Sequence, residues 1–443
     1  MTLALPSRRA VLAPGPWVRN ELWRRARAVP SLDLRFAENK SLVDAVTGQS
    51  LVTFTRASAG TYVGSDGLIK TAVENVPRFT HDPVTGESLG LLVEEQRTNL
   101  LLRSEEFGDA NWAKPSSTVS SNSTAGPDGA ITADLLITNN ATSNGLVQQI
   151  IAKAASPITY TFSCYGKEEE FSSLRLILRD PANSGNRADL VLNLATGSTS
   201  GSFVGGTYSS LSSYVSRMAN GWWRFSITAT TGSESSVSAQ VISNGAGDGT
   251  SGIYIWGAQL EVGAFPTSYI PTTTAAVTRS ADVVSITGSA FSSWYRQDEG
   301  TVFANYQFSA GSAVNTNSRQ LFDSSDGTTD NRFSVRGIGG ASTADQITAR
   351  SGASTVAQFF TNGTAVGTAP RAIAAVYRLD DYAAVATGSA SAVTDTSGAL
   401  PVGLNQTNIG GAVNGTEYLC GTIRRLTYWP QRLPNSTLQT ITL

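Results

Sequence analysis

Apolar and polar residues alternate along most of this chain with the two-residue period of half-buried β-strands. The alternation is clear at 32–36 and recurs in short segments as far as 421–429. Residues that favour turns separate these segments, as in the DPVTG sequence at 82–86. Only residues 18–28 have the spacing of a short amphipathic helix. The pattern therefore predicts an all-β protein.

The spacing of the predicted strands favours two antiparallel β-sandwiches in tandem after a short N-terminal anchor, because turn signals recur between short strands. The predicted regions are a basic N-terminal anchor segment at 1–30, a β-rich particle-docking region at 31–100, a first, jelly-roll-like sandwich at 101–276, a linker at 277–289 and a second sandwich at 290–443.

Composition supports this class and excludes several functions. The chain contains 42 glycines and only 15% charged residues, against about 25% in an average soluble protein. Its net charge of −2 gives no field that favours nucleic acid. The apolar runs are too short for a membrane-spanning helix. We therefore expect neither a nucleic-acid partner nor membrane insertion.

Candidate catalytic chemistry is sparse. His81 is the only histidine and lies in a turn signal, so we interpret it as an exposed turn residue. Cys164 and Cys420 are the only cysteines and are far apart, which excludes a zinc ribbon and a disulfide framework. No nucleophile motif is present. We expect a protein that is not an enzyme and needs no cofactor.

Three stretches carry a resemblance to known proteins. The first contains FTRAS at 54–58, PRF at 77–79, GLLVE at 90–94 and RTNLL at 97–101. It resembles a segment of bacteriophage virion proteins described as head-spike, head-fibre or tail-fibre proteins. The other two stretches lie nearer the C-terminus. GWWRF at 221–225 with WGAQLE at 256–261 is similar to the final strands of a carbohydrate-binding-module-like jelly roll. GTIRRL at 421–426 is similar to the closing strand of a laminin-G or concanavalin-like sandwich.

This resemblance implies an external appendage of the virion, usually a homotrimer. Such a protein docks on other virion proteins by its N-terminal region and binds a host surface glycan through its β-sandwiches. A purely structural virion protein (a decoration, an adaptor or a head fibre) is the alternative. A polysaccharide-degrading enzyme is a third interpretation, but it needs two carboxylates across a cleft, and the sequence gives no signal for them.

Aromatic residues in likely binding positions are candidates for stacking on sugar rings. The candidates are Trp112, Tyr208, Tyr214, Trp222, Trp294 and Tyr295. Trp222 and Trp223 are adjacent in one predicted strand, so one of them should point into the core. Trp256 is a similar candidate for stacking on a sugar ring. Packing in the core or in a trimer interface is the alternative for each of these residues.

Basic residues concentrate in the first 30 positions, where they suit docking on an acidic surface of the particle. The docking candidates are Arg8, Arg9, Arg19, Trp23, Arg24, Arg25 and Arg27. The alternative is a frayed basic terminus that has no partner.

Two further groups of charged residues have a predicted role. Three arginines of the first resembling stretch should form structural ion pairs at a junction with Glu74, Glu94 and Glu95; these arginines are Arg56, Arg78 and Arg97. Carboxylates in a Ser- and Gly-rich loop are weak candidates for calcium, although their spacing is not that of an EF-hand. They are Asp323, Asp326 and Asp330.

Overall fold

A computed structural model describes residues 21–139, 144–309, 318–338, 344–363 and 369–443. Short antiparallel strands joined by loops make up most of these residues, which confirms the predicted all-β class. Within the described ranges, no helix is long and apolar enough to cross a membrane. The docking candidates Arg8, Arg9 and Arg19 lie outside the described residues.

Two short helices and seven strands precede the first large domain. They are α1 (Glu21–Ala26), β1 (Leu32–Leu34), α2 (Phe36–Asn39), β2 (Thr53–Thr55), β3 (Gly60–Val63), β4 (Ile69–Ala72), β5 (Phe79–His81), β6 (Ser88–Val93) and β7 (Arg97–Asn99).

Eleven strands and one 3-10 turn follow in the described residues. They are β8 (Ser117–Ala125), β9 (Ile131–Thr138), β10 (Gly145–Ala152), β11 (Thr159–Glu168), β12 (Ser173–Arg179), β13 (Arg187–Asn193), β14 (Thr199–Gly205), β15 (Ser209–Arg217), the 3-10 turn Ala219–Gly221, β16 (Trp223–Thr230), β17 (Ser236–Ser243) and β18 (Gly252–Val262).

The last part of the chain contains the remaining described elements. They are β19 (Val277–Arg279), β20 (Val283–Thr287), α3 (Gly288–Ser292), β21 (Glu299–Phe308), β22 (Ser318–Ser325), β23 (Arg332–Ile338), β24 (Asp345–Ser351), β25 (Ser354–Phe360), β26 (Arg371–Arg378), β27 (Tyr382–Ala386), β28 (Val393–Asp395), β29 (Gln406–Ile409), β30 (Gly421–Trp429) and α4 (Asn435–Ile441).

Strands β8 to β18 form one sandwich, which we call the nested sandwich. One of its sheets has the order β10-β17-β12-β13-β14, and the other has the order β15-β16-β11-β18-β9-β8. Alternating side chains from both sheets fill the core between them, including Phe162, Phe225 and Leu260. Strands β7 and β19, which flank this sandwich in the chain, pair with each other and place Arg97 opposite Arg279.

The second sandwich, which we call the split sandwich, is built from both ends of the chain. One sheet has the order β28-β27-β26-β21-β30-β6-β5, with β1 also paired to β30. The other sheet has the order β2-β20-β29-β22-β23-β24-β25. Leu32 lies opposite Tyr428, and Val93 lies opposite Gly421. The split sandwich therefore closes only after the whole nested sandwich has been traversed.

This topology differs from the predicted boundaries in three places. The sandwiches are nested rather than in tandem. Region 31–100 supplies β1, β2, β5 and β6 to the split sandwich. The predicted linker 277–289 contains β19, β20 and the start of α3. The physical reason is that the edges of these short strands need hydrogen bonds, which come from strands that are distant in sequence.

The end of the predicted anchor segment is also part of the fold. Leu22, Trp23 and Ala26 of α1 are buried in a cluster with Trp429 and with residues of α4. The Trp23 indole donates a hydrogen bond to the Asp33 carboxylate at 2.9 Å. Helix α1 thus covers one end of the split sandwich.

Candidate functional site

A buried network of charges lies where the chain passes between the two sandwiches. We call Arg56, Arg78, Glu94, Arg279 and Asp282 the junction network. Asp282 lies 3.1 Å from the Arg56 guanidinium and also pairs with Arg78. Glu94 accepts from Arg78 at 2.8 Å and lies 3.5 Å from Arg279. None of these side chains is more than 3% exposed.

The network fixes the ionisation of Glu94. Burial alone would raise the pKa of this carboxyl, but Arg279, Arg78 and hydrogen bonds from Ser268 outweigh burial and lower the pKa to about 2. The Ser268 amide and hydroxyl donate to Glu94 at 2.8 and 2.6 Å. Glu94 therefore holds the loop after β18 against the split sandwich.

Arg97 ties the same loop from its other side. Its guanidinium pairs with Glu95, donates to the Val262 carbonyl and lies 4.9 Å from the Phe265 ring centroid. Gly263 permits this approach, since a Cβ there would lie 1.3 Å from the guanidinium of Arg97. The prediction is thus confirmed for Arg78 with Glu94 and for Arg97 with Glu95, whereas Arg56 pairs with Asp282, and Glu74 forms no ion pair with a described residue.

A groove follows the seam between the two sandwiches. Its first depression has a volume of about 330 Å³ and receives side chains from both sandwiches. Its second depression, of about 400 Å³, shares Pro83 and Met218 with the first. We use "the groove" for both depressions together. Among the residues that line it are Tyr62, His81, Tyr214, Ser216, Arg217 and Arg224.

The loops beside the groove interlock. Gly67 has φ +75°, a conformation that L side chains rarely adopt, and a Cβ there would lie 2.4 Å from the Pro83 carbonyl and 2.9 Å from the Ala219 side chain. Close packing of loops from the two sandwiches therefore shapes the second depression.

His81 presents an unused hydrogen-bonding atom at the groove. It lies in β5 and is only 6% exposed, so the prediction of an exposed turn residue is wrong. Its Nδ1 lies 3.1 Å from the Val63 carbonyl, which can only accept, so we assign the hydrogen to Nδ1. Nε2 is buried and has no partner among the described residues. In the neutral ring Nε2 is an acceptor for a ligand hydroxyl.

Arg224 supplies the complementary donors. It lies in β16, where its Nη2 donates to the Ser163 hydroxyl at 3.1 Å and its guanidinium lies 5.4 Å from the Tyr165 ring centroid. Its buried Nε has no partner among the described residues. Buried polar atoms are almost always hydrogen-bonded. His81 and Arg224 thus each bring one buried polar atom without a described partner to the wall of the groove.

A second carboxylate near the seam is in the opposite electrostatic state to Glu94. Burial raises the pKa of Glu105 to about 7, and the charges of Asp128, Glu106 and Asp134 add to the effect. The hydroxyl of Tyr269, which lines the groove, donates to Glu105 at 3.0 Å and lies 2.6 Å from the Ser104 hydroxyl. The ionisation of Glu105 is thus linked by a hydrogen bond to Tyr269 in the wall of the groove.

Of the six predicted glycan contacts, only Tyr214 lines the groove. The other five are buried in the cores, so the prediction that they contact glycan is wrong. Each packs against apolar neighbours that leave no ring face for a sugar. The five are Trp112, Tyr208, Trp222, Trp294 and Tyr295, none more than 8% exposed.

The buried aromatics have identifiable packing roles. Trp112 lies 4.8 Å from Phe107 between ring centroids and donates to the Arg103 carbonyl. Trp294 lies 4.9 Å from Tyr428 in the core of the split sandwich. Trp222 and Trp223 do point to different environments, as expected: Trp222 is fully buried, and Trp223 is half-buried against the core of the nested sandwich.

Among the docking candidates that the structure describes, Trp23 is buried and therefore presents no docking surface. Arg24 and Arg27 are exposed, and Arg25 is half-buried. Of the described docking candidates, these three arginines are the ones whose side chains are accessible to a partner.

The three calcium candidates are not equivalent. Asp323 is fully buried and accepts from the Ser334 hydroxyl and the Val413 amide. Asp326 accepts from Thr328 and Asn331 within its own loop, and Asp330 is exposed. In the described ranges, no group of three or more His, Cys, Asp or Glu side chains is placed to hold a metal ion.

Sequence reasoning missed Asp282, Arg224 and the position of His81. Asp282 lies in the segment predicted as a linker, and Arg224 lies inside the GWWRF stretch without any pattern that marks it as unpaired. Both are recognised only through partners, or missing partners, that are far away in sequence.

No family model matches the chain, and no curated protein matches it at a significant level. Among solved structures, the sialidase CBM40 of Ruminococcus gnavus bound to α2,3-sialyllactose is 19% identical, with a TM-score of 0.29, over 33% of this chain and 83% of that one. Domains LG4–5 of the mouse laminin α1 chain are 12% identical, with a TM-score of 0.20, over 64% and 84% of the two chains.

A glycoside hydrolase family 43 protein of Bacillus licheniformis, BlXynB, is 8% identical, with a TM-score of 0.22, over 71% of this chain and 74% of that one. At these TM-scores the three likenesses carry no argument about function. None of the three is a virion protein, and the virion role stays a prediction.

Proposed function

We propose that this chain is a non-catalytic glycan-binding protein of a bacteriophage virion appendage, and that the groove is its sugar site. The groove supports the proposal because it joins a half-buried aromatic side chain, Tyr214, to hydroxyls and to two unsatisfied buried polar atoms. Sugar sites need this combination of a ring face and hydrogen-bonding groups. The two adjoining depressions suit several linked sugars rather than one.

The virion part of the proposal rests on the resembling segment at 54–112. Arg56, Arg78 and Glu94 of that segment pair with Asp282 and Arg279 in the junction network, so the segment takes part in the attachment between the two sandwiches. In this proposal the chain acts as a homotrimer, docks on other virion proteins through its N-terminal region and gains avidity from several weak sites.

The groove also explains why we propose binding without catalysis. Its first depression is lined by two carboxylates, Asp82 and Glu94. A glycosidase needs a general acid whose pKa is raised, whereas the pKa values of both groups are lowered. Asp82 is held by the amides of Val84 and Thr85 in its own turn.

The proposal is tested by binding of the full chain to an array of oligosaccharides from bacterial surface polysaccharides, with a reducing-sugar assay alongside. Tyr214→Ala should weaken any binding about tenfold, because a stacking contact is lost. Phe360→Ala is the matched control, since Phe360 is 47% exposed and lies outside the groove. Release of reducing ends, or equal effects of the two variants, would contradict the proposal.

The particle assignment has its own test. Mass spectrometry of purified phage particles whose genome encodes this chain should detect it as a virion component, and its mass in solution should be that of a trimer. Absence from the particles overturns the virion role but leaves the groove open to test.

A structural virion protein is the second candidate. Five of the six aromatic candidates are internal, and β14, at the edge of its sheet, exposes Phe203 and Val204. An exposed edge strand with apolar side chains suits packing against another chain. A trimer that Phe203→Lys dissociates, together with no binding on the array, would favour this candidate.

A further inference from the structure

The groove contains cations without carboxylate partners. Arg224 lines the first depression and Arg217 lines the second. Among the described residues, neither guanidinium has a carboxylate within 4 Å: Arg224 contacts Ser163 and Tyr165, and Arg217 lies 5.8 Å from the Trp223 ring centroid. Arg217 pairs with Trp223, the residue before Arg224, so the two arginine side chains leave the sheet on opposite faces, and each lines a different depression.

The acids that line the groove are, with one exception, already neutralised by cations. Glu94 is held by Arg78 and Arg279. Asp66 pairs with Lys70 at 2.8 Å. Asp82 forms no ion pair with a described residue, but its carboxylate accepts from the backbone amides of Val84 and Thr85 in its own turn. The two arginines therefore leave the groove with more unpaired positive than unpaired negative charge.

One buried carboxylate, Glu261, interacts electrostatically with Arg224 but forms no ion pair with it within 4 Å in the described structure. Glu261 is buried, and its oxygens accept from the amide and hydroxyl of Thr267 and from Gln259. Burial raises the pKa of Glu261 although Arg97 and Arg224 oppose the change.

We infer that the groove takes an acidic oligosaccharide, whose carboxylate accepts from Nη1 of Arg224 while a neighbouring hydroxyl donates to His81 Nε2. The Nη1 of Arg224 makes no hydrogen bond to a described residue, whereas Nη2, which shares the Nε edge of the guanidinium, already donates to Ser163, so Nη1 is the donor left for a carboxylate. Arg217 provides attraction for a second acidic residue further along the groove. This inference rests on the proposed function and specifies its substrate class.

The test uses the full chain and matched pairs of probes. Each pair is a uronic-acid-containing capsular oligosaccharide and the same oligosaccharide after carboxyl reduction, which leaves a neutral sugar of the same linkage. We expect at least one acidic probe to bind about tenfold to a hundredfold more tightly than its reduced form, the range for hydrogen bonds to a charged group. Added salt should weaken binding of the acidic probe.

Variants locate the effect. Arg224→Met keeps the aliphatic stem over Tyr165 and should abolish the preference for the acidic probe. Arg179→Met is the matched control: Arg179 is half-buried in β12, has no carboxylate within 4 Å in the described structure and does not line the groove. It should leave the preference unchanged.

The outcomes separate the inference from the proposed function. Equal binding of acidic and reduced probes, lost in Tyr214→Ala, would overturn the acidic specificity and keep the glycan site. Binding of neither series would overturn both. A preference that survives in Arg224→Met would remove Arg224 as its cause and overturn the inference.

Discussion

The junction network and the groove use the same residue types with opposite results. In the junction network, Arg56, Arg78 and Arg279 each lie beside a buried carboxylate, Asp282 or Glu94. In the groove, Arg224 has no such partner. A buried arginine with a carboxylate holds elements together, whereas an arginine without one retains donors for a ligand. The partner, rather than the residue type, decides the role.

The largest expected effect comes from removing a carboxylate of the junction network. Asp282→Ala leaves Arg56 and Arg78 buried with one acid fewer. Breaking a buried ion pair typically costs about 3–5 kcal/mol, because a charge stays uncompensated. We expect a loss of this size in the free energy of unfolding, measured by urea denaturation at pH 7.

The control for this variant is Asp298→Ala, which removes the carboxylate of an exposed pair with Arg296. Solvent screens that pair, so only a small change is expected. Similar losses in both variants would show that burial of the junction network does not set its contribution.

Acid should weaken the junction network through Glu94. Its pKa is lowered to about 2 from an ordinary value near 4.5. A lowered pKa contributes stability that is fully present above pH 4.5 and is lost as the pH falls towards 2. Glu94→Gln should therefore cost up to about 3 kcal/mol at pH 7 and little at pH 2. Urea denaturation of both proteins from pH 2 to 7 measures the difference.

A constant cost of Glu94→Gln over that whole pH range would mean that the carboxylate charge contributes nothing and that only shape is lost.

Glu105 should respond to pH in the opposite direction. Its pKa is raised to about 7, so the folded state holds the proton more strongly than the unfolded state. Its destabilising effect is absent below pH 4.5, grows as the pH rises towards 7 and is constant above that. Glu105→Gln keeps an acceptor for Tyr269 and should stabilise the protein by about 1–2 kcal/mol at pH 8, after an allowance for solvent screening.

Glu74→Gln serves as the control for Glu105→Gln, because Glu74 is exposed and forms no ion pair with a described residue. Thermal unfolding at pH 4.5 and 8 compares the two variants. A gain at pH 4.5 as large as that at pH 8 would argue against titration of Glu105.

These contrasts show how far the sequence leads. Local alternation of apolar and polar residues predicts the strands, since each strand needs one buried face wherever it pairs. It does not predict that β1 pairs with β30, because Asp33 and Thr427 are adjacent only in the folded chain. For the same reason the nesting of the sandwiches was missed, and 277–289 was predicted as a linker.

The candidate site was harder to predict than the fold. Trp112 and Trp294 are of a residue type that often stacks on sugar rings, but packing against residues distant in sequence buries them. The predicted pairs of Arg78 with Glu94 and of Arg97 with Glu95 were correct because PRF, GLLVE and RTNLL place opposite charges in one segment, whereas the partner of Arg56, Asp282, lies far away in sequence. Arg224 has no such signal, since the absence of a partner is a property of the assembled groove.

The smallest expected effect on stability is that of Arg224→Met in the groove. Arg224→Met removes a guanidinium that has no ion pair and keeps the packing on Tyr165. We therefore expect the free energy of unfolding to change by less than about 1 kcal/mol. Arg78→Met in the same urea assay should cost about 3–5 kcal/mol, because Glu94 and Asp282 lose a shared buried partner. A loss in Arg224→Met as large as that in Arg78→Met would make Arg224 a structural residue and remove the distinction on which the groove is assigned.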